Sequence, residues 1–155
     1  MGHVMRSRWG FTLIEILLVI LVVTILASIV IPKLMGAARE AKEANLRSTL
    51  QQFRSFIALF RSHTGGYPAQ LADLTAPGNA PPVNGLDDSG AALALNAGDY
   101  QGPYMTPRLP GIPINAVTGG NAEGTDWLYS TTPPNVGQVR AAVGTATDGS
   151  DYSTW

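Results

Sequence analysis

The side chains able to do chemistry in this chain are few. None of its 155 residues is cysteine, which removes disulfide frameworks, thiolate zinc sites and cysteine nucleophiles together. The two histidines, His3 and His63, are too few for a histidine-rich metal site. No glycine-rich phosphate loop and no serine-histidine-aspartate grouping stands in the sequence. The carboxylate that stands out is Glu15, placed just ahead of an uncharged run from Ile16 to Pro32. A charge inside an apolar zone costs about 2.5–3.5 kcal/mol on insertion scales, and such residues are usually functional. Thr12-Leu13-Ile14-Glu15 also fits the S/T-x-x-E capping box, in which Glu15 satisfies a free amide at a helix start. The two roles are compatible.

The element that must position Glu15 is a long helix. The run Ile16–Pro32 spans roughly 25 Å as a helix, at the short end of what crosses a bilayer core. Adding Phe11–Ile14 makes it long enough and carries Glu15 inside. Three processing patterns fit. Arg6 and Arg8 would hold a signal anchor on the cytoplasmic side. Gly36-Ala37-Ala38 offers a small-x-small secretory cleavage site, with a mature start at Arg39. The third is a cut on the cytoplasmic side, before the apolar run. Pro32 removes an amide and crowds the preceding turn, so it either bends the helix or ends it beside Lys33 at the membrane edge.

Beyond Pro32 the pattern turns amphipathic. Leu46, Leu50, Phe53, Ile57 and Phe60 recur at spacings of three and four, with Phe56 and Leu59 broadening the stripe. The stripe is expected to pack on the chain's own C-terminal region. Arg47, Arg54 and Arg61, seven apart, form a separate basic line expected to be solvated or to take part in subunit contacts. As one helix, residues 12–63 would measure about 78 Å. Its exposed apolar half then needs lipid or other copies of the chain. His63 falls in the last turn, where positive charge complements the helix C-terminus, and Gly65 and Gly66 supply the stop; His63 carries no catalytic role.

Composition shifts at Gly65. Hydrophobic residues are 45% of the chain and charged residues 14%, with a net charge of −1, which argues against a general nucleic-acid binder. The charge is unevenly spread: residues 11–64 hold six bases and three acids, residues 65–155 two bases and eight acids. Ten of the 11 prolines also follow Gly65. The sequence predicts a turn and short helix over 66–74, loops over 75–98 with one weak helix near Ala91–Leu95, and an irregular stretch over Pro103–Pro113. Trp127–Thr131 and Val139–Val143, flanking Pro133-Pro134-Asn135, read as an antiparallel hairpin. The expected fold class is α+β: a long N-terminal helix, its hydrophobic half protruding and its amphipathic half packed on a small antiparallel β-sheet head.

Arg8-Trp9-Gly10-Phe11-Thr12-Leu13-Ile14-Glu15, followed at once by an apolar helix, resembles the type IV pilin and pseudopilin superfamily. The resemblance implies that prepilin peptidase removes residues 1–10, cutting between Gly10 and Phe11, and that Phe11 becomes N-methylated. It makes Glu15 the fifth mature residue and puts Pro32 where the family often has a helix-disrupting proline. Residues 11–32 are then a transmembrane segment and later a filament core, residues 33–64 the amphipathic half, and residues 65–155 the head. A buried Glu15 of one subunit could pair with the Phe11 amine of a neighbour, because two charges costly apart are tolerable together. Phe11, Glu15 and Pro32 are therefore the expected assembly residues.

Tyr67-Pro68, Gly102-Pro103-Tyr104-Met105 with Leu109-Pro110, and the ending Thr147–Trp155 are similar to the major pseudopilin of type II secretion systems. In that group an acidic C-terminal loop binds calcium. Asp148 and Asp151, with Asp126 from the first hairpin strand, are the expected calcium donors, hard oxygens suited to that ion. The same aspartates also read as turn formers beside Gly149. The resemblance implies a structural subunit without an active site, processed by prepilin peptidase. It would polymerise with itself and with minor pseudopilins or pilins, on an inner-membrane platform driven by an ATPase. Before assembly it would sit in lipid with its head in the periplasm; afterwards it forms a periplasmic or cell-surface filament. No nucleic acid is expected. The alternatives are a type IV pilus pilin for adhesion, motility or DNA uptake, and a secreted or membrane-anchored binding module with an ordinary signal sequence.

Overall fold

Apolar spacing and burial agree closely along the helix beyond Glu40. The computed structural model describes residues 11–105, 112–142 and 144–155. The chain divides into two compact units, one ending at Arg39 and one beginning at Glu40. Helix α1 runs over Leu13–Thr64 and continues through Pro32. Thr12 caps it: the Glu15 amide donates to the Thr12 hydroxyl at 3.3 Å, the forward half of the expected capping box. Gly65, at φ +78°, ends it, its amide donating to the Arg61 carbonyl at 2.8 Å.

In the second unit, Leu46, Leu50, Phe53, Ile57 and Phe60 are all buried. Phe56 is half-buried against the same core, and Leu59 is exposed. Trp127 is fully buried and meets Phe53 edge-on, ring centroids 5.0 Å apart. Its indole nitrogen donates to the Pro113 carbonyl at 2.8 Å, so the largest core side chain has its polar atom satisfied. At the other end of the stripe Phe60, Tyr100 and Tyr104 form a cluster of edge-to-face rings.

Two small antiparallel sheets complete this unit. The first is ordered β1 (Tyr67–Pro68), β2 (Asn84–Leu86), β3 (Ala92–Ala94), with Tyr67 opposite Leu86 and Gly85 opposite Leu93. Pro68 lies on an edge strand, where its missing amide is tolerated. The second pairs β4 (Trp127–Tyr129) with β5 (Val139–Ala141), Trp127 opposite Ala141. This is the expected hairpin, with shorter strands; Val143 lies outside the described residues.

The head departs from the sequence reading in its first sheet, where β2 lies in a stretch expected to be loop. The weak helix expected near Ala91–Leu95 is strand β3. Asp87 closes the turn before it: one carboxylate oxygen accepts from the Ser89 amide, the Ser89 hydroxyl and the Ala91 amide at 2.6–2.9 Å. Gly90 supplies φ +78°, and pairing with β2 overrides the helical leaning of Ala-Leu-Ala. The short helix after Pro68 is a 3-10 helix over Leu71–Thr75. Of the stretch Pro103–Pro113, residues 106–111 lie outside the described residues; the Tyr104 and Met105 amides both donate to the Leu74 carbonyl at 3.0 Å.

Candidate functional site

The first unit offers surface rather than a cleft. Eighteen large apolar side chains from Phe11 to Met35 are exposed, from Val22 and Val30 at 47% to Leu13 at 83%. Burying one such side chain is worth about 1.5–3 kcal/mol, so the segment as a whole has tens of kcal/mol to gain from an apolar neighbour. Within the described residues one helix, α1, is long and apolar enough to cross a membrane. Thr24 and Ser28 add no polarity to that face, since their hydroxyls donate to the carbonyls of Ile20 and Ile25 at 2.7 Å.

Phe11 and Glu15 stand together at the helix start, Phe11 79% exposed and Glu15 one turn on. The Glu15 amide is used by the cap and its carboxylate is exposed, at the positive end of the helix. Gly10 and the rest of residues 1–10 lie outside the described residues. Pro32 is an interior residue of α1, so of its two expected readings the stop beside Lys33 is corrected.

The three expected calcium donors are each engaged locally. Asp126 is buried; its carboxylate accepts from the Ala122 amide at 2.9 Å, and its backbone carbonyl accepts from the Asn115 side-chain amide at 2.8 Å. A Cβ on Gly120 would sit 2.2 Å from that carboxylate, so a larger residue there would have to shift Asp126. Asp148 accepts from the Ser150 amide and hydroxyl at 2.9 and 2.6 Å, and Asp151 from the Ser153 amide at 2.8 Å. Both act as turn formers around Gly149, which holds φ +85°. These bonds favour the charged forms. Ser150, with the Arg47 guanidinium adding to it, holds Asp148 below the usual carboxylate range, Ser153 does so for Asp151, and the Thr118 hydroxyl with the Ala122 amide does so for Asp126. Among the described residues no group of three or more His, Cys, Asp or Glu side chains could hold a metal ion.

The basic line is not simply solvated. Arg47 pairs with Asp148 at 3.3 Å and lies 3.9 Å above the Trp155 ring. Arg54 donates to the Trp155 backbone oxygen. Arg61 donates to the Tyr67 hydroxyl at 2.6 Å and to Asp88 at 2.7 Å. Sequence reasoning also missed Glu43, a buried acid accepting from the Thr147 amide at 2.9 Å and the Tyr152 hydroxyl at 3.1 Å. The signal was available: Glu43 lies three residues before Leu46, on the buried stripe. His63 meets the Tyr104 hydroxyl through Nδ1 at 3.0 Å, a packing role at the helix end.

Comparison with known proteins bears on the first unit most directly. Residues 5–31 match the family model of the prokaryotic N-terminal methylation motif. The chain is 35% identical to the type II secretion system core protein G of Klebsiella michiganensis over 104 residues, 64% of this chain and 73% of that one. It is 30% identical to the core protein G of Vibrio cholerae over 136 residues, 79% of this chain and 91% of that one. The type IV wide pilus major component PilA4 of Thermus thermophilus is 26% identical over 140 residues, 90% of this chain and 93% of its own. No solved structure gives a significant match.

Proposed function

Because the chain belongs to the family of type II secretion system core protein G, we propose that it is the major structural subunit of a pseudopilus, polymerising through α1 to drive protein export. The observation that carries this reading is the exposed apolar surface from Phe11 to Ile31, broken by a single charged side chain, the early carboxylate of Glu15. Such a surface is stable against lipid before assembly and against copies of itself afterwards. Removal of residues 1–10 by prepilin peptidase leaves an amine on Phe11, which is then methylated. In the filament the Glu15 carboxylate of one copy pairs with the Phe11 amine of another. The pair sets register, since any other axial offset strands two charges in an apolar bundle. Pro32, which lacks an amide donor, gives the helix a point of local opening within the bundle.

The partners that follow are the peptidase, an inner-membrane platform with its ATPase, and minor pseudopilins. The subunit is anchored in the inner membrane before assembly, with residues 40–155 on the periplasmic side. The similarity to a type IV pilus component over 90% of the chain favours, as second reading, a pilus of related build. The test common to both is Glu15→Gln. Membrane insertion is expected to persist, by carbonate extraction, while sheared or induced filaments fall at least tenfold by immunoblot and micrograph. Normal filament yield from that variant refutes the pairing role.

A further inference from the structure

The segment 144–155 is tied to α1 by three separate side chains of the helix, and their chemistry bears on what holds a loop-rich, cysteine-free head together. Glu43, buried, accepts from the Thr147 amide and the Tyr152 hydroxyl. Arg47 reaches Asp148 with its guanidinium edge and covers Trp155 with its face. Arg54 reaches the Trp155 backbone. Inside the segment, the Trp155 indole donates to the Ser150 hydroxyl at 2.9 Å and its ring stands edge-on to Tyr152 at 4.9 Å. Thr145 and Asp151 pair as an isolated antiparallel bridge, and the Tyr152 amide donates to the Gly144 carbonyl at 2.9 Å.

We propose that this segment is fastened to the helix by protein groups alone, with the Arg47 guanidinium serving Asp148 and Trp155 where a divalent cation would otherwise be recruited. A cation bound at Asp148 would have to displace or repel a guanidinium already 3.3 Å from its carboxylate. The hydrogen bonds from Ser150 to Asp148 and from Ser153 to Asp151 occupy oxygens that a calcium shell of six to eight ligands would need. Arg is suited to the task because its plane can stack on an indole while its edge meets a carboxylate. The inference concerns residues 40–155 and is independent of filament assembly, so either can fail without the other.

Hydrogen exchange of the full chain in detergent micelles tests it, read by mass spectrometry on peptides covering 144–155. In the unsubstituted protein, protection of that segment should be the same in millimolar calcium and in excess chelator. Arg47→Met, which keeps the aliphatic stem and removes the charge, should speed exchange there about three- to tenfold, with peptides around Trp127 unchanged. Arg47→Lys, which keeps the charge without the planar face, should fall between the two. Calcium-dependent protection of the unsubstituted segment overturns the proposal, and so does unchanged exchange in Arg47→Met.

Discussion

One helix, two solvents: residues 13–35 of α1 bury none of their large apolar side chains, whereas the same helix beyond Glu40 buries every member of a five-residue stripe. The difference lies in how hydrophobicity is arranged more than in how much of it there is. In the first region apolar residues surround the helix on all sides, a pattern that no single face of a small domain can cover. In the second they recur every three or four positions, and one sheet-bearing unit covers them. The first region is therefore built for partners that come from outside, and the second for its own chain.

The sharpest way to break that comparison is to remove Trp127. Trp127→Ala should cost about 3–5 kcal/mol and unfold residues 40–155 well below the normal melting temperature by near-UV circular dichroism. Membrane insertion through residues 13–35 should be unchanged in a carbonate-extraction assay. Loss of both together would mean that the regions are not energetically separate.

A smaller effect is expected at Gly137, where φ is +80° and a Cβ would stand 2.1 Å from the Tyr67 ring. Gly137→Ala should destabilise by about 1–3 kcal/mol, visible as a lower denaturation midpoint, again with insertion intact. A neutral result would mean that the β4–β5 loop moves away from Tyr67 at little cost.

Acid should produce the mildest separation. Asp87, Asp126, Asp148 and Asp151 all titrate below the ordinary aspartate value of 3.8 because side-chain and backbone donors favour their charged forms. Each binds its proton more weakly folded than unfolded, so the stability it supplies is present above that value and lost as pH falls through the lowered ones. A pH series of melting curves in detergent should show residues 40–155 weakening below about pH 4, with helical signal from the apolar segment retained. Glu123 works in the opposite sense: burial raises its carboxyl, so its ionisation weakens the fold slightly as pH rises.

These expectations also mark what the sequence made legible. The helix, its end at Gly65 and its buried stripe follow from spacing and stop signals that act locally. The β4–β5 hairpin was legible from Trp127-Leu128-Tyr129 for the same reason. The β1–β2–β3 sheet was not, because strands of two or three residues are too short to show alternation. Its one clear signal is the turn of Asp87 and Gly90. The fastening by Glu43 and Arg47 was hidden for another reason: its partners lie about a hundred residues away along the chain. Spacing within the helix told that Arg47, Arg54 and Arg61 share a line, but not what faces it. The aspartates Asp126, Asp148 and Asp151 suggested a cation by type and region, while their hydrogen bonds hold each in its own turn.

The central claim is that the apolar stretch, released from its basic leader, begins the mature protein and becomes the filament's core. Intact-mass and N-terminal peptide analysis of the protein from cells with an active prepilin peptidase tests it most directly. The account predicts a first residue of Phe11 carrying one added methyl group, and an uncleaved chain that keeps residues 1–10 when the peptidase is inactive. A mature start at Arg39, or Met1 in cells with active peptidase, would contradict it.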